Sequence, residues 1–236
     1  MPDFSSPRQA VNNQNLLWLF DLDNTLHDAG RHIFPAIEQN MNAFISARLG
    51  QDAASVSALR QLYWQRYGAT VLGLIKHHAI AAHDFLPIVH ALPDLLALMR
   101  YERGLVGLLR RLPGRKILLT NAPRGYSQRV LRQLGLHKHF ARHVPIEAMH
   151  VHRQLRPKPD KLMLRRLLAR EGQSVHRTIL VEDSAINLKN AKTLGLKTVW
   201  ITQYLKQSHH KPGYVDLKAK SVHGLPRRLR QLHLAA

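Results

Sequence analysis

Five consecutive apolar residues, Leu16-Leu17-Trp18-Leu19-Phe20, run directly into Asp21-Leu22-Asp23-Asn24-Thr25. A charge-free run this short reads as a strand buried on both faces, the kind found inside a parallel sheet. Two carboxylates two positions apart then stand at its carboxyl end, where open α/β sheets place their ligands. Asp and Asn also suit an ordinary turn after a strand, so the pair takes its meaning from the rest of the chain.

From residue 28 to about 100 the periodicity is helical, with no convincing strand. Ile33, Ile37, Met41, Phe44, Ile45 and Leu49 recur at spacings of three and four, and Gly50 stops them. Val56, Leu59, Leu62, Tyr63 and Tyr67 make a second stripe ended by Gly68. Residues 72–83 predict a third helix, and residues 85–98 a looser one broken by Pro87 and Pro93. After residue 103 helices and buried strands alternate. Helices are expected at 105–112, 126–134, 160–170 and 185–194, and strands at 116–119, 144–147, 178–181 and 197–201. A weak amphipathic helix is expected near 225–232, and residues 1–15 read as a loosely attached arm. The alternation implies βαβ units and a parallel sheet. The expected fold is therefore α/β: a Rossmann-like core from residues 1–27 and 103–236, interrupted by an all-helical insertion at 28–102.

Three further polar sets follow predicted strands. Thr120-Asn121 offers a hydroxyl and an amide to a phosphoryl oxygen, and equally suits a helix N-cap. In Arg156-Pro157-Lys158-Pro159-Asp160 the flanking prolines stiffen the backbone and hold Lys158 on a short leash, which suits a phosphate. In Glu182-Asp183-Ser184, with Asn187 a turn later, adjacent carboxylates at a strand end are costly unless a cation neutralises them. Mg²⁺, a hard cation bound by oxygens, is the expected ion.

Asp-x-Asp-x-Thr, Thr-Asn, Lys-Pro and Glu-Asp, in that order and each at a strand end, together resemble the four motifs of the haloacid dehalogenase (HAD) superfamily over about residues 16–201. The resemblance implies a Rossmann-like core and a helical cap inserted after the first motif. It implies Asp21 as the nucleophile forming an aspartyl phosphate, Asp23 as general acid and base, and Thr120 and Lys158 as holders of the phosphoryl group. Asp21, Asp183 and the backbone carbonyl of Asp23 would ligate Mg²⁺, with Glu182 and Asn187 just behind them. Asp23 argues against dehalogenation, since a halide leaves without a proton. Asn24-Thr25, where mutases commonly carry Gly-Val, favours a phosphatase and is expected to shape the turn.

More narrowly, the chain resembles the pyrimidine 5′-nucleotidases, which hydrolyse UMP or CMP to nucleoside and phosphate. The segments that carry this are Phe20-Asp21-Leu22-Asp23-Asn24-Thr25-Leu26, Asp84-Phe85-Leu86-Pro87-Ile88-Val89-His90, Leu118-Leu119-Thr120-Asn121-Ala122, Leu134-Gly135-Leu136 and Glu182-Asp183-Ser184. Glu182 departs from the Asp of many relatives. In the helical insertion Tyr63, Trp64 and Tyr67 could stack on a base, although Tyr63 and Tyr67 share an apolar stripe that favours core packing. His90 is the substrate-binding candidate there. His77 and His78 are adjacent and so cannot share a helix face as zinc ligands would need to.

Lys and Arg number 35 against 15 Asp and Glu, a formal charge of +20. Such a surface attracts anions, whether phosphorylated metabolites, nucleic acid or an acidic partner. The expected substrate is a small phosphate ester, with loose RNA association as a by-product. The alternatives are a phosphatase for another metabolite, such as a sugar phosphate or phosphoglycolate, and a basic RNA- or partner-binding protein on the same fold. No apolar run is long enough to span a membrane. The absence of cysteine fits a cytoplasmic location.

Overall fold

The apolar run becomes β1 (Leu17–Phe20), an inner strand of a six-stranded sheet in the computed structural model, which describes residues 15–205 and 210–232. Along the chain follow β2 (Arg115–Leu119), β3 (Arg142–Val144), β4 (His150–Val151), β5 (Gln154–Leu155), β6 (Thr178–Glu182), β7 (Lys197–Ile201) and β8 (Leu217–Ala219). The sheet order is β3-β2-β1-β6-β7-β8, with every neighbouring pair parallel, while β4 and β5 form a separate antiparallel hairpin. Ten helices accompany them among the described residues: α1 (Ile33–Leu49), α2 (Ala53–Tyr67), α3 (Thr70–His78), α4 (Ala82–Val89), α5 (Leu95–Leu98), α6 (Leu105–Arg111), α7 (Arg124–Gln133), α8 (Lys161–Glu171), α9 (Ala185–Thr193) and α10 (Leu225–Arg228). This is the α/β fold expected from the alternation.

The reason β1 is apolar throughout is that both its faces are covered. Trp18 and Phe20 point into one cluster with Leu105, Leu108 and Leu109 of α6 and Val130 and Leu131 of α7. Leu17 and Leu19 point into the other, with Met163, Leu164 and Leu167 of α8 and Leu188 of α9. The chain winds from β1 out to β3, then returns to the far side of β1 to place β6. That reversal opens a crevice at the carboxyl ends of adjacent strands.

The insertion has its own apolar cluster, built on Phe44, Ile45, Val56, Tyr63, Val71, Leu74, Phe85, Leu86 and Val89. Its two roots belong elsewhere: Ala29, Ile33, Ile37, Leu92, Leu95 and Met99 pack in the cluster beside the sheet. α2 and α3 approach closely because Gly73 lies against the Tyr63 ring, where a Cβ would come within 2.1 Å of it.

Several elements differ from the periodicity. The predicted helices at 72–83 and 85–98 are divided as α3, α4 and α5, with a turn at Ala79 in the left-handed region (φ 53°) that no helix breaker announces. The strand expected at 144–147 is β3, which begins two residues earlier and stops at Val144, because Pro145 has no N–H to continue the ladder. β8 and the β4–β5 hairpin are too short to show a period. The helix expected near 225–232 is α10 followed by a 3₁₀ turn, with Leu225 and Leu232 buried. The expected arm lies, apart from Asn15, outside the described residues. Among the described residues no helix is long and apolar enough to cross a membrane.

Candidate active site

Phe20 pairs in register with Leu118 of β2 and Val181 of β6, so the next residues of all three strands emerge together. The Asp21 N–H extends the ladder by donating to the Val181 carbonyl (3.0 Å), and the Thr120 N–H donates to that of Val144 (3.1 Å). The chain then turns sharply at Asn24 (φ 57°), whose Oδ1 accepts from the N–H groups of Ala29 (3.1 Å) and Gly30 (2.8 Å). Asn24 thus shapes the turn, as its position suggests. On the neighbouring strand end the indole of Trp200 donates to the Asp183 carbonyl (2.9 Å) and fixes that loop.

Lys158 is buried between two carboxylates. Its ammonium donates to Asp21 Oδ1 (2.6 Å) and Glu182 Oε2 (2.8 Å). Asn121 clips the lysine backbone from both sides, accepting from its N–H (2.9 Å) and donating to its carbonyl (2.8 Å). The Thr25 hydroxyl donates to the other Asp21 oxygen (3.3 Å), and Glu182 Oε1 accepts from the Ser184 N–H (3.2 Å).

Asp21, Glu182 and Asp183 each bring a carboxylate oxygen within 4.8 Å of the others. Burial pushes Asp21 up to about 7, with the Glu182 charge adding to this and Lys158 opposing it. Burial, Glu182 and Asp21 likewise hold Asp183 well above the usual carboxylate range. Lys158 is held above the ordinary lysine value, since Asp21 and Glu182 outweigh its burial. Three clustered carboxylates against one ammonium leave an excess of negative charge, and hard oxygen donors in that arrangement fit a divalent cation such as Mg²⁺.

Asp23 lives in different surroundings. Its Oδ1 accepts from Tyr126 Oη (2.6 Å) and His27 Nε2 (2.9 Å). Burial acts to raise it, but these donors prevail and hold it below the usual range. The His90 ring lies 5.5 Å from that of Tyr126. A carbonyl only accepts, so the contact of His90 Nδ1 with Leu86 O (2.9 Å) fixes the proton on Nδ1. Burial lowers the His90 pKa against the pull of the Leu86 carbonyl and the Asp23 charge, which favours the neutral ring, the form whose Nε2 is an acceptor.

One cavity of about 490 Å³ joins these groups. Asp21, Asp23, His90, Thr120, Asn121, Lys158, Glu182, Asp183 and Asn187, all the site residues singled out from the sequence, line it. Asn121 reaches it while holding Lys158, and Thr120 Oγ1 accepts from the Ala122 N–H (3.0 Å). Tyr126 and His27 escape a reading by strand ends. The available signals are the i, i+4 spacing of His27 from Asp23 and the place of Tyr126 on the helix after Thr120-Asn121. Tyr63 is buried, as its stripe suggests, and bonds His78 Nε2 (2.8 Å), while Tyr67 bonds His77 Nε2 (2.6 Å).

The model of the haloacid dehalogenase-like hydrolases matches residues 17–195, and the chain belongs to that family. It is 27% identical over 199 residues to Phosphate metabolism protein 8 of Saccharomyces cerevisiae (strain ATCC 204508 / S288c); the match covers 76% of this chain and 59% of that longer protein. The HAD phosphatase from Thermococcus onnurineus superposes with a TM-score of 0.62 at 17% identity, over 91% of this chain and 97% of that one. The HAD-hydrolase YfnB from Bacillus subtilis, bound to magnesium, superposes at 0.58 and 17% identity, over 92% and 99%. At such identities the likeness is one of fold.

Proposed function

We propose that this hydrolase is a Mg²⁺-dependent phosphomonoesterase working through an aspartyl phosphate, with pyrimidine 5′-nucleotides such as UMP and CMP as substrates. The observation that carries the chemistry is the contrast between Asp21 and Asp23. One carboxylate is bonded to a lysine amid excess negative charge; the other, two residues on, is held by a tyrosine and a histidine. Carboxylates separated by environment in this way suit separate roles.

Asp21 attacks phosphorus, and the bond to the ester oxygen breaks. Lys158 and Thr120 hold the phosphoryl oxygens, with Asn121 keeping the lysine in place. Asp23 gives a proton to the leaving alkoxide, then takes one from the water that displaces phosphate from Asp21. The arriving phosphate dianion raises Asp23 towards the protonated state that the first step requires. Mg²⁺, held by Asp21, Asp183 and the Asp23 carbonyl, would neutralise charge and keep Asp21 ionised. The insertion of 28–102 would act as a cap over the cavity, and His90 would accept from a substrate hydroxyl. The nucleotide assignment is supported by the motif-flanking segments that resemble pyrimidine nucleotidases.

The test is phosphate release from UMP, CMP, AMP, GMP, ribose 5-phosphate and phosphoglycolate, with Mg²⁺ and with EDTA. Mg²⁺-dependent release strongest for UMP and CMP is the expected result. Release spread over sugar phosphates would keep the chemistry and discard the nucleotidase. Wild-type turnover by Asp21→Asn would overturn the chemistry itself.

A further inference from the structure

The chain has three tryptophans, and they are treated differently. Trp18 and Trp200 are buried, and their indole N–H groups donate to Pro113 O (2.8 Å) and Asp183 O (2.9 Å). Trp64 is 64% exposed on α2, and its indole has no hydrogen-bond partner among the described residues. Yet it does not face open solvent at random. It lines the catalytic cavity, as do Phe34 at the start of α1 and Ile186 at the start of α9, which are 38% and 52% exposed. Three large apolar side chains from three helices, each left uncovered, converge on the space beside Asp21 and Lys158. Other exposed apolar residues, such as Leu62 on the same helix, do not line it.

Exposed apolar surface concentrated in a concave site marks ligand contact, whereas scattered exposure needs no explanation. A tryptophan face favours flat π-systems, to which it adds stacking beyond area burial. A sugar phosphate or phosphoglycolate has no such face and would leave all three side chains wet. Gln65, on the same wall, adds an amide able to donate to and accept from a heteroaromatic edge.

We infer that Trp64 is the specificity-determining residue of this cavity. Its indole receives the flat base of a substrate whose phosphoryl group rests on Thr120 and Lys158. The inference rests on the nucleotidase reading and assigns its discrimination to one side chain. UMP and ribose 5-phosphate present the same ester on the same sugar and differ by the base, so their ratio of kcat/KM isolates the indole.

Trp64→Ala should lower that ratio about tenfold, the scale of one base–aromatic stack, and the change should lie in KM, not kcat. Trp64→Phe should restore much of it, and Leu62→Ala, outside the cavity, should leave it unchanged. A wild-type preference for UMP that survives Trp64→Ala overturns the inference while leaving the nucleotidase intact. If wild type shows no preference for UMP, the nucleotidase reading fails, and p-nitrophenyl phosphate against glycerol phosphate decides for Trp64. A loss confined to p-nitrophenyl phosphate keeps the flat-group subsite, and an equal loss on both removes it.

Discussion

Lys158 supplies the single ammonium among Asp21, Glu182 and Asp183, so its removal strands buried carboxylates without a counter-charge. Breaking a buried pair from one side costs about 3–5 kcal/mol, and Lys158→Met should lose that much in urea denaturation with EDTA present. Saturating Mg²⁺ should return part of the loss; unchanged stability would mean that the two carboxylates are not ionised there. Asp23 makes a different prediction. Asp23→Asn should lower kcat for alkyl esters by about 10²–10⁴-fold, the usual scale of lost acid–base catalysis. With p-nitrophenyl phosphate, whose leaving group needs no proton, the same variant should show a stoichiometric burst of p-nitrophenolate followed by slow turnover. The positions of these residues were legible because each follows an apolar run or lies between prolines. Tyr126 was not, because its importance is a contact with Asp23 across the fold, and His27 was not, because its spacing of four from Asp23 becomes a contact only through the shape of the turn between them. Trp64 was visible as an aromatic, but its exposure inside the cavity depends on which way α2 faces the core.

At the scale of elements, helices with a clean period and a terminal glycine were readable, and short pieces were not. α1 and α2 end at Gly50 and Gly68, as their stripes indicate. The Ala-Ile-Ala turn between α3 and α4 contains only helix-compatible residues, so tertiary packing decides it. The α2–α3 contact depends on the absence of one methyl group. Gly73→Ala would force the Tyr63 ring aside and should cost about 1–3 kcal/mol, the range for overpacking a core. Hydrogen exchange should show the loss concentrated in α2 and α3. The sheet edge has a titratable tie. Asp216, before β8, accepts from Lys192 Nζ (2.6 Å) and from the N–H (2.9 Å) and hydroxyl (3.0 Å) of Thr198. Burial acts to raise its pKa, but these partners prevail and hold it below the usual range. A depressed folded-state pKa gives stability that is present above the unfolded value, about 3.9, and lost as pH falls through the folded one. Asp216→Asn should therefore be less stable near neutrality and lose less on acidification, as urea midpoints from pH 7 to pH 3 would show.

The whole molecule carries a formal charge of +20, while its candidate site is rich in carboxylates. The positive field belongs to the exterior, where it can draw in an anionic ester, and salt screens it over about 10 Å at 0.1 M and 3 Å at 1 M. KM for UMP should rise with NaCl while kcat stays level. Retention of RNA on filters should fall steeply over the same range and be indifferent to Asp21→Asn; tight retention still present at moderate salt would point to a dedicated binding surface, and its absence there would remove that alternative. This balance of charge was plain from composition, whereas the division of the insertion between two apolar clusters emerges only from its packing. The sheet order also has a consequence for the chain as it is being made. Asp21 meets Lys158 across 137 residues, and the strand before it pairs on one edge with β2 and on the other with β6. A ribosome therefore releases the proposed nucleophile early and its partner lysine late. Until β6 emerges, β1 keeps at least one open edge, and an apolar strand in that state is an invitation to aggregation. Fragments that stop short of β6 lack Glu182 and Asp183 and should show none of the proposed activity, so the first turnover of a newly made molecule would mark the seating of β6 beside β1.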